Sequence, residues 1–153
     1  MRQKTLLVVW NAANRGKTET LKKFVELILE QYFSKISSLS YNKAANNNDF
    51  EMLLTIDDNK IGIVSEGDPG TGLKKKLNKL DEDNCNIIIC TSRTRGGTVD
   101  DVENFCKTKK YKILWSETYQ VDGAMKHNDE VINDTNLLKA KHLLLRLQNE
   151  NLI

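Results

Sequence analysis

Two hydrophobic periods alternate along the chain and divide it into strands and helices. Residues 4–10, KTLLVVW, carry a continuous apolar run with β-branched side chains, the pattern of a strand buried on both faces. From Lys17 the period changes, and Leu21, Phe24, Val25, Ile28 and Tyr32 share one face of a helix. Residues 34–49, SKISSLSYNKAANNND, are polar and asparagine-rich and read as a surface connection carrying little chemistry. Two strand-like runs then flank Asp57, Asp58 and Asn59, a turn signal that predicts a β-hairpin. Leu73, Leu77 and Leu80 mark the next helix, and CNIIICTS (85–92) the next strand. Val99, Val102, Phe105 and Cys106 form the inner face of a third helix, with Thr98 and Asp101 as its expected capping box. YKILWSETY (111–119) reads as the last strand and residues 131–150 as the closing helix.

The order β-α-β-β-α-β-α-β-α predicts an α/β three-layer sandwich in a single domain over residues 1–153. Its mostly parallel sheet should have about five strands, one of them antiparallel and supplied by the hairpin, with helices on both faces. In open sheets of this class ligands bind outside the carboxyl ends of the strands. The candidate chemistry clusters at such ends.

Residues 10–21, WNAANRGKTETL, join the first strand to the first helix and nearly complete the phosphate-cradling pattern G-x-x-x-x-G-K-[ST]. Gly16, Lys17 and Thr18 are in place, and Asn11 stands where the first glycine is expected. Gly16 would let backbone N–H groups approach phosphate oxygens, and the helix opening at Lys17 offers unpaired N–H groups and the positive end of its dipole. Lys17 would reach the β and γ phosphates, with the Thr18 hydroxyl on Mg²⁺. The first glycine is wanted for a positive φ, which asparagine tolerates better than most residues. The plain alternative is a surface turn capped by Thr18 or Arg15.

The stretch NRGKTETL resembles the Walker A segment of the P-loop NTPase superfamily running into its first helix. That resemblance implies a nucleoside triphosphate, ATP favoured over GTP, together with Mg²⁺. It makes Asn11, Asn14, Arg15, Gly16, Lys17, Thr18 and Glu19 the nucleotide-contacting stretch and Thr18 a metal ligand. IGIVSEGD (61–68) is similar to the second motif of one branch of the superfamily, four apolar residues followed by Asp-Glu. There the Asp helps hold magnesium and the Glu polarises water. Ser65 takes the place of that Asp, Glu66 matches the Glu, and Asp68 would supply the missing charge from the following turn; alternatively residues 66–70 make a solvated turn. Thr91 and Ser92 fall where related ATPases place a residue that senses the γ-phosphate. Arg93 and Arg95, on a glycine loop before a helix, would neutralise phosphoryl charge, or else are only solvated.

Composition narrows the remaining options. A net charge of +2 does not argue for nucleic acid, although Lys74, Lys75, Lys76 and Lys79 gather on one helix as a solvated face or a docking site for an acidic partner. No apolar stretch approaches the roughly 18 residues of a membrane span, and the N-terminal run is too short for a secretory signal. Cys85, Cys90 and Cys106 lack metal or disulfide spacing and read as buried free thiols, which points to the cytoplasm. Trp115, Glu117 and Tyr119 follow the last strand, where the rings would stack on a base or pack in the core or at its edge, and His127 and His142 have no evident role. The leading expectation is Mg²⁺-dependent triphosphate hydrolysis, with Lys17, Glu66, Arg93 and Arg95 as catalytic residues. Hydrolysis is favoured over phosphoryl transfer because the chain has no insertion large enough for an acceptor-binding lid. The rivals are a nucleotide-binding switch with little turnover, a kinase-like phosphotransferase and an interaction module with a vacant site.

Overall fold

The computed structural model describes residues 2–11, 16–44, 48–66, 72–119, 121 and 123–153. Six strands form one sheet: β1 (Thr5–Trp10), β2 (Ile36–Lys43), β3 (Phe50–Ile56), β4 (Asn59–Val64), β5 (Ile87–Ser92) and β6 (Lys112–Glu117). Four helices accompany them: α1 (Lys17–Tyr32), α2 (Leu73–Glu82), α3 (Gly97–Lys109) and α4 (Asp129–Asn149). The sheet order is β2-β3-β4-β5-β1-β6. Strands β1, β4, β5 and β6 run parallel, and only β3 opposes the rest, being antiparallel to both β2 and β4. The α/β class, the helices on both faces and the hairpin strand all match the sequence pattern; the sheet has six strands rather than five.

The additional strand is β2, which lies in the segment expected to be a surface connection. It pairs with β3 along the sheet edge, and most of its side chains are exposed. A register shift between Ile36 and Ser38 lets Ile36 share a face with Leu39 and Tyr41, opposite Ile56, Leu54 and Met52, although its spacing from Leu39 is odd. The alternation that would have announced a strand is broken at that point.

Strands β1 and β5 carry unbroken apolar runs, Leu6 to Trp10 and Ile87 to Cys90, because each face has its own core. Leu7, Val9, Ile87 and Ile89 join α1 and α4 through Leu21, Phe24, Ile28, Leu143 and Leu147. Leu6, Val8, Ile88 and Cys90 point the other way, toward Leu73, Leu77, Val102 and Phe105 of α2 and α3. The expected capping box of α3 does not form. Gly96 precedes that helix without a side-chain cap, and the buried Thr98 hydroxyl instead accepts the Arg93 backbone N–H at 3.3 Å. Helix α4 starts two residues earlier than expected because the Asn128 side chain accepts the Val131 N–H at 3.1 Å.

Candidate functional site

Neighbouring strands β1 and β5 feed helices on opposite faces of the sheet, α1 against one core and α3 against the other. Such a divergence opens a crevice at the carboxyl edge, where ligands of open α/β sheets bind. Asn11, Ser65, Glu66 and Arg93 all follow strands ending at this edge. Asn14 and Arg15, expected to contact nucleotide, and Asp68, expected to bind metal, lie outside the described residues.

Gly16 precedes α1 in the left-handed region, with φ 78°. A Cβ there would come within 2.6 Å of Asn136 Oδ1, so both conformation and space demand glycine. Lys17 is only 7 % exposed, and its Nζ donates to the Asn11 carbonyl at 3.0 Å, holding the ammonium where β1 ends. Asn11 does not adopt a positive φ; among the described non-glycine residues only Asp57, Asn84, Lys110 and Asn151 do. Its tolerance of that conformation is therefore not why it stands there. The Asn11 amide donates to Thr118 Oγ1 at 2.9 Å and its backbone N–H to the Ser92 carbonyl at 3.2 Å, tying the ends of β1, β5 and β6 together. Glu19 points away from this cluster, exposed and paired with Lys22 at 3.3 Å.

Thr18 turns toward a carboxylate that the sequence reading passed over. Its Oγ1 donates to Asp49 Oδ1 at 3.0 Å, and Ser65 Oγ donates to the same oxygen at 3.0 Å. Ser65 is 3 % exposed and fixed in place: its Oγ accepts the Phe50 N–H at 2.8 Å, while Thr91 Oγ1 donates to its carbonyl at 2.6 Å. Thr91 thus braces the end of β4. Asp49 could have been found from the hairpin alone, because the residue before β3 must lie beside the residue after β4. The reading of residues 34–49 as poor in chemistry is corrected accordingly.

Glu66 is 8 % exposed, and Lys76 Nζ donates to its Oε1 at 2.8 Å and also to Glu51. Burial opposes the charge on Lys76, but the hydrogen bonds to Glu51 and Glu66 outweigh it and hold the ammonium above the ordinary lysine range. The basic row is therefore not uniformly a solvated face: Lys74, Lys75 and Lys79 are exposed, whereas Lys76 is half-buried and committed to two carboxylates. Arg93 is half-buried and Arg95 exposed, on the loop that follows β5 beside the end of β1.

At the β6 side, Trp115 is exposed, and the Tyr119 hydroxyl hydrogen-bonds His142 Nδ1 under an edge-on ring contact. His142, given no role from sequence, thus has a packing partner. Buried Lys139 lies 4.9 Å from the Tyr119 ring centroid and donates to Ser116 Oγ at 2.6 Å; burial lowers its pKa, partly opposed by Glu117. Among the described residues no cluster of three His, Cys, Asp or Glu side chains could hold a metal by itself. The Thr18 hydroxyl and Asp49 carboxylate are hard oxygen donors, and they fit Mg²⁺, which takes one or two protein oxygens and completes its shell with phosphate and water.

Fold and site together define an α/β protein with a lysine, two hydroxyls and two carboxylates gathered at the switch point of its sheet. No protein-family model, no curated protein and no solved structure matches the chain.

Proposed function

We propose that this protein binds a nucleoside triphosphate with Mg²⁺, ATP favoured, and hydrolyses it slowly at the carboxyl edge of β1. One observation carries the reading. A left-handed glycine opens the helix that follows a central buried strand, and the next two side chains are a buried lysine and a threonine hydroxyl on a carboxylate. Lys17 would exchange the Asn11 carbonyl for a phosphate oxygen. The first N–H groups of α1 supply further donors and the positive end of the helix dipole. Magnesium, when bound, adds positive charge that neutralises the phosphate oxygens. Thr18 can donate to Asp49 and still present a lone pair outward. Glu66 would orient the attacking water, and Arg93 or Arg95 would meet charge developing on the transferred group.

The ion pair between Lys76 and Glu66 favours the switch-like variant of this reading, with little turnover. A carboxylate held by an ammonium at 2.8 Å is a poorer proton acceptor than a lone one. The exposed Lys74, Lys75 and Lys79 would offer a switch a face for an acidic partner. Three buried free thiols fit the reducing cytoplasm expected from sequence.

The test measures binding of labelled ATP and GTP with and without Mg²⁺, alongside phosphate release, for wild type and Lys17→Ala. The proposal expects binding that Lys17→Ala weakens about tenfold or more, consistent with loss of a charge-assisted hydrogen bond to phosphate. Binding with no release selects the switch. Absence of Lys17-sensitive binding leaves the interaction module as the surviving reading.

A further inference from the structure

We infer that Asp49 is the carboxylate through which this chain holds the divalent cation of its nucleotide, taking over the charge that Ser65 lacks. The inference rests on the proposed nucleotide site and adds a ligand from a different strand. In a parallel sheet the ligand-binding edge receives residues that follow strands. Strand β3 alone runs against the other five, so it alone brings a residue that precedes a strand to that edge. The Phe50–Ser65 pairing continues the β3–β4 ladder one step past β4, with Ser65 N–H on the Phe50 carbonyl at 3.1 Å. Asp49 then stands one step beyond that pair, where Ser65 Oγ and Thr18 Oγ1 of the first turn of α1 both donate to it.

The contacts there have a direction. Thr18 and Ser65, which come from α1 and the end of β4, both donate to one oxygen of Asp49, each at 3.0 Å. Ser65 Oγ also accepts the Phe50 N–H, so it orients the carboxylate rather than presenting itself to a metal. Glu66, a second carboxylate at this edge, is held by Lys76. The acidic group on the Thr18 hydroxyl is therefore Asp49. A hydroxyl and a carboxylate in contact at a helix N-terminus form the protein half of a magnesium site whose other half is phosphate and water.

The test uses Asp49→Asn, whose side-chain oxygen still accepts from both hydroxyls, so that charge is removed while the hydrogen-bond geometry is kept. ATP affinity is measured in Mg²⁺ and in EDTA for wild type, Asp49→Asn, and Asp49→Asn with Ser65→Asp. The gain in affinity that Mg²⁺ gives wild type should fall about tenfold or more in Asp49→Asn, as loss of a group supporting a metal typically costs. Affinity in EDTA should not fall, because the lost carboxylate no longer repels the phosphates, and Ser65→Asp should restore the gain. An equal Mg²⁺ gain in wild type and Asp49→Asn overturns the assignment of Asp49 while leaving the nucleotide site standing. Wild type that binds ATP in neither buffer overturns the nucleotide reading and this inference with it. A readout on wild type guards against a variant that fails to fold: Mn²⁺ added with ATP should broaden the ¹³C signal of the Asp49 carboxylate, and a signal that stays sharp overturns the inference.

Discussion

Gly16 is the position least able to change. A residue with a Cβ there meets the left-handed φ of 78° and an oxygen of the buried Asn136 at 2.6 Å. Gly16→Ala should lose at least about 1–2 kcal/mol of stability in urea unfolding, the usual cost of that backbone conformation; an unchanged midpoint would contradict the close approach of α4 to this turn. At Lys76 the expectation concerns rate. If its ammonium restrains Glu66, then Lys76→Met should raise phosphate release about tenfold by freeing the base, and an unaltered rate would remove Glu66 from the chemistry. Both residues were within view of the sequence, Gly16 as part of a spaced motif. Lys76, three residues after Leu73 and four before Leu80, borders their buried helix face, a distinction lost when the lysines are read as one row.

Among the elements, the pair legible from apolar runs, β1 and β5, and the stretch that was not, β2 with the turn after it, differ in one physical respect. Central strands bury both faces and leave a continuous apolar signature, whereas the edge strand β2 is mostly exposed and interrupted by a bulge. Asp49 was lost with it, since a polar tail after an unrecognised strand looks like any surface connection. The end of the sheet opposite the site depends on a different group. Asp81 of α2 bonds Lys4 ahead of β1 at 2.7 Å, Lys109 at the end of α3 at 3.4 Å and the Tyr111 hydroxyl at 3.2 Å. Burial alone would raise its pKa, but the hydrogen bonds and charges of Lys4, Tyr111 and Lys109 hold it below the ordinary aspartate value of 3.8. A folded-state pKa below the unfolded one gives stability that is present above the unfolded value and lost as pH falls through the folded value. Asp81→Asn should therefore lower stability by about 1–2 kcal/mol at pH 7, with the difference from wild type shrinking at pH values below 3.8. A difference that stays constant down to acid unfolding would show that Asp81 acts by packing and not by charge.

Across the whole molecule, two cores on one sheet account for the silent chemistry as well as for the site. Cys85, Cys90 and Cys106 all sit in or beside the core under α2 and α3, and burial pushes the Cys85 thiol up to about 12 and the Cys106 thiol up to about 11. None should react with a thiol reagent at pH 8 until the protein is denatured, and fast labelling of the native protein would contradict this packing. Among the described residues no helix is long and apolar enough to cross a membrane. The same layered packing sends the connections of β1 and β5 to opposite faces and so creates the edge that carries Lys17 and Glu66 and joins Thr18 and Ser65 through Asp49. The central claim is that this edge receives a triphosphate and its magnesium, and the backbone amides there report it most directly. In an amide NMR titration with ATP and Mg²⁺, the largest shifts should fall on Gly16, Lys17 and Thr18, with Asp49 and Ser65 following only when magnesium is present. Shifts confined to the lysine face of α2, or none at saturating nucleotide, would contradict the account.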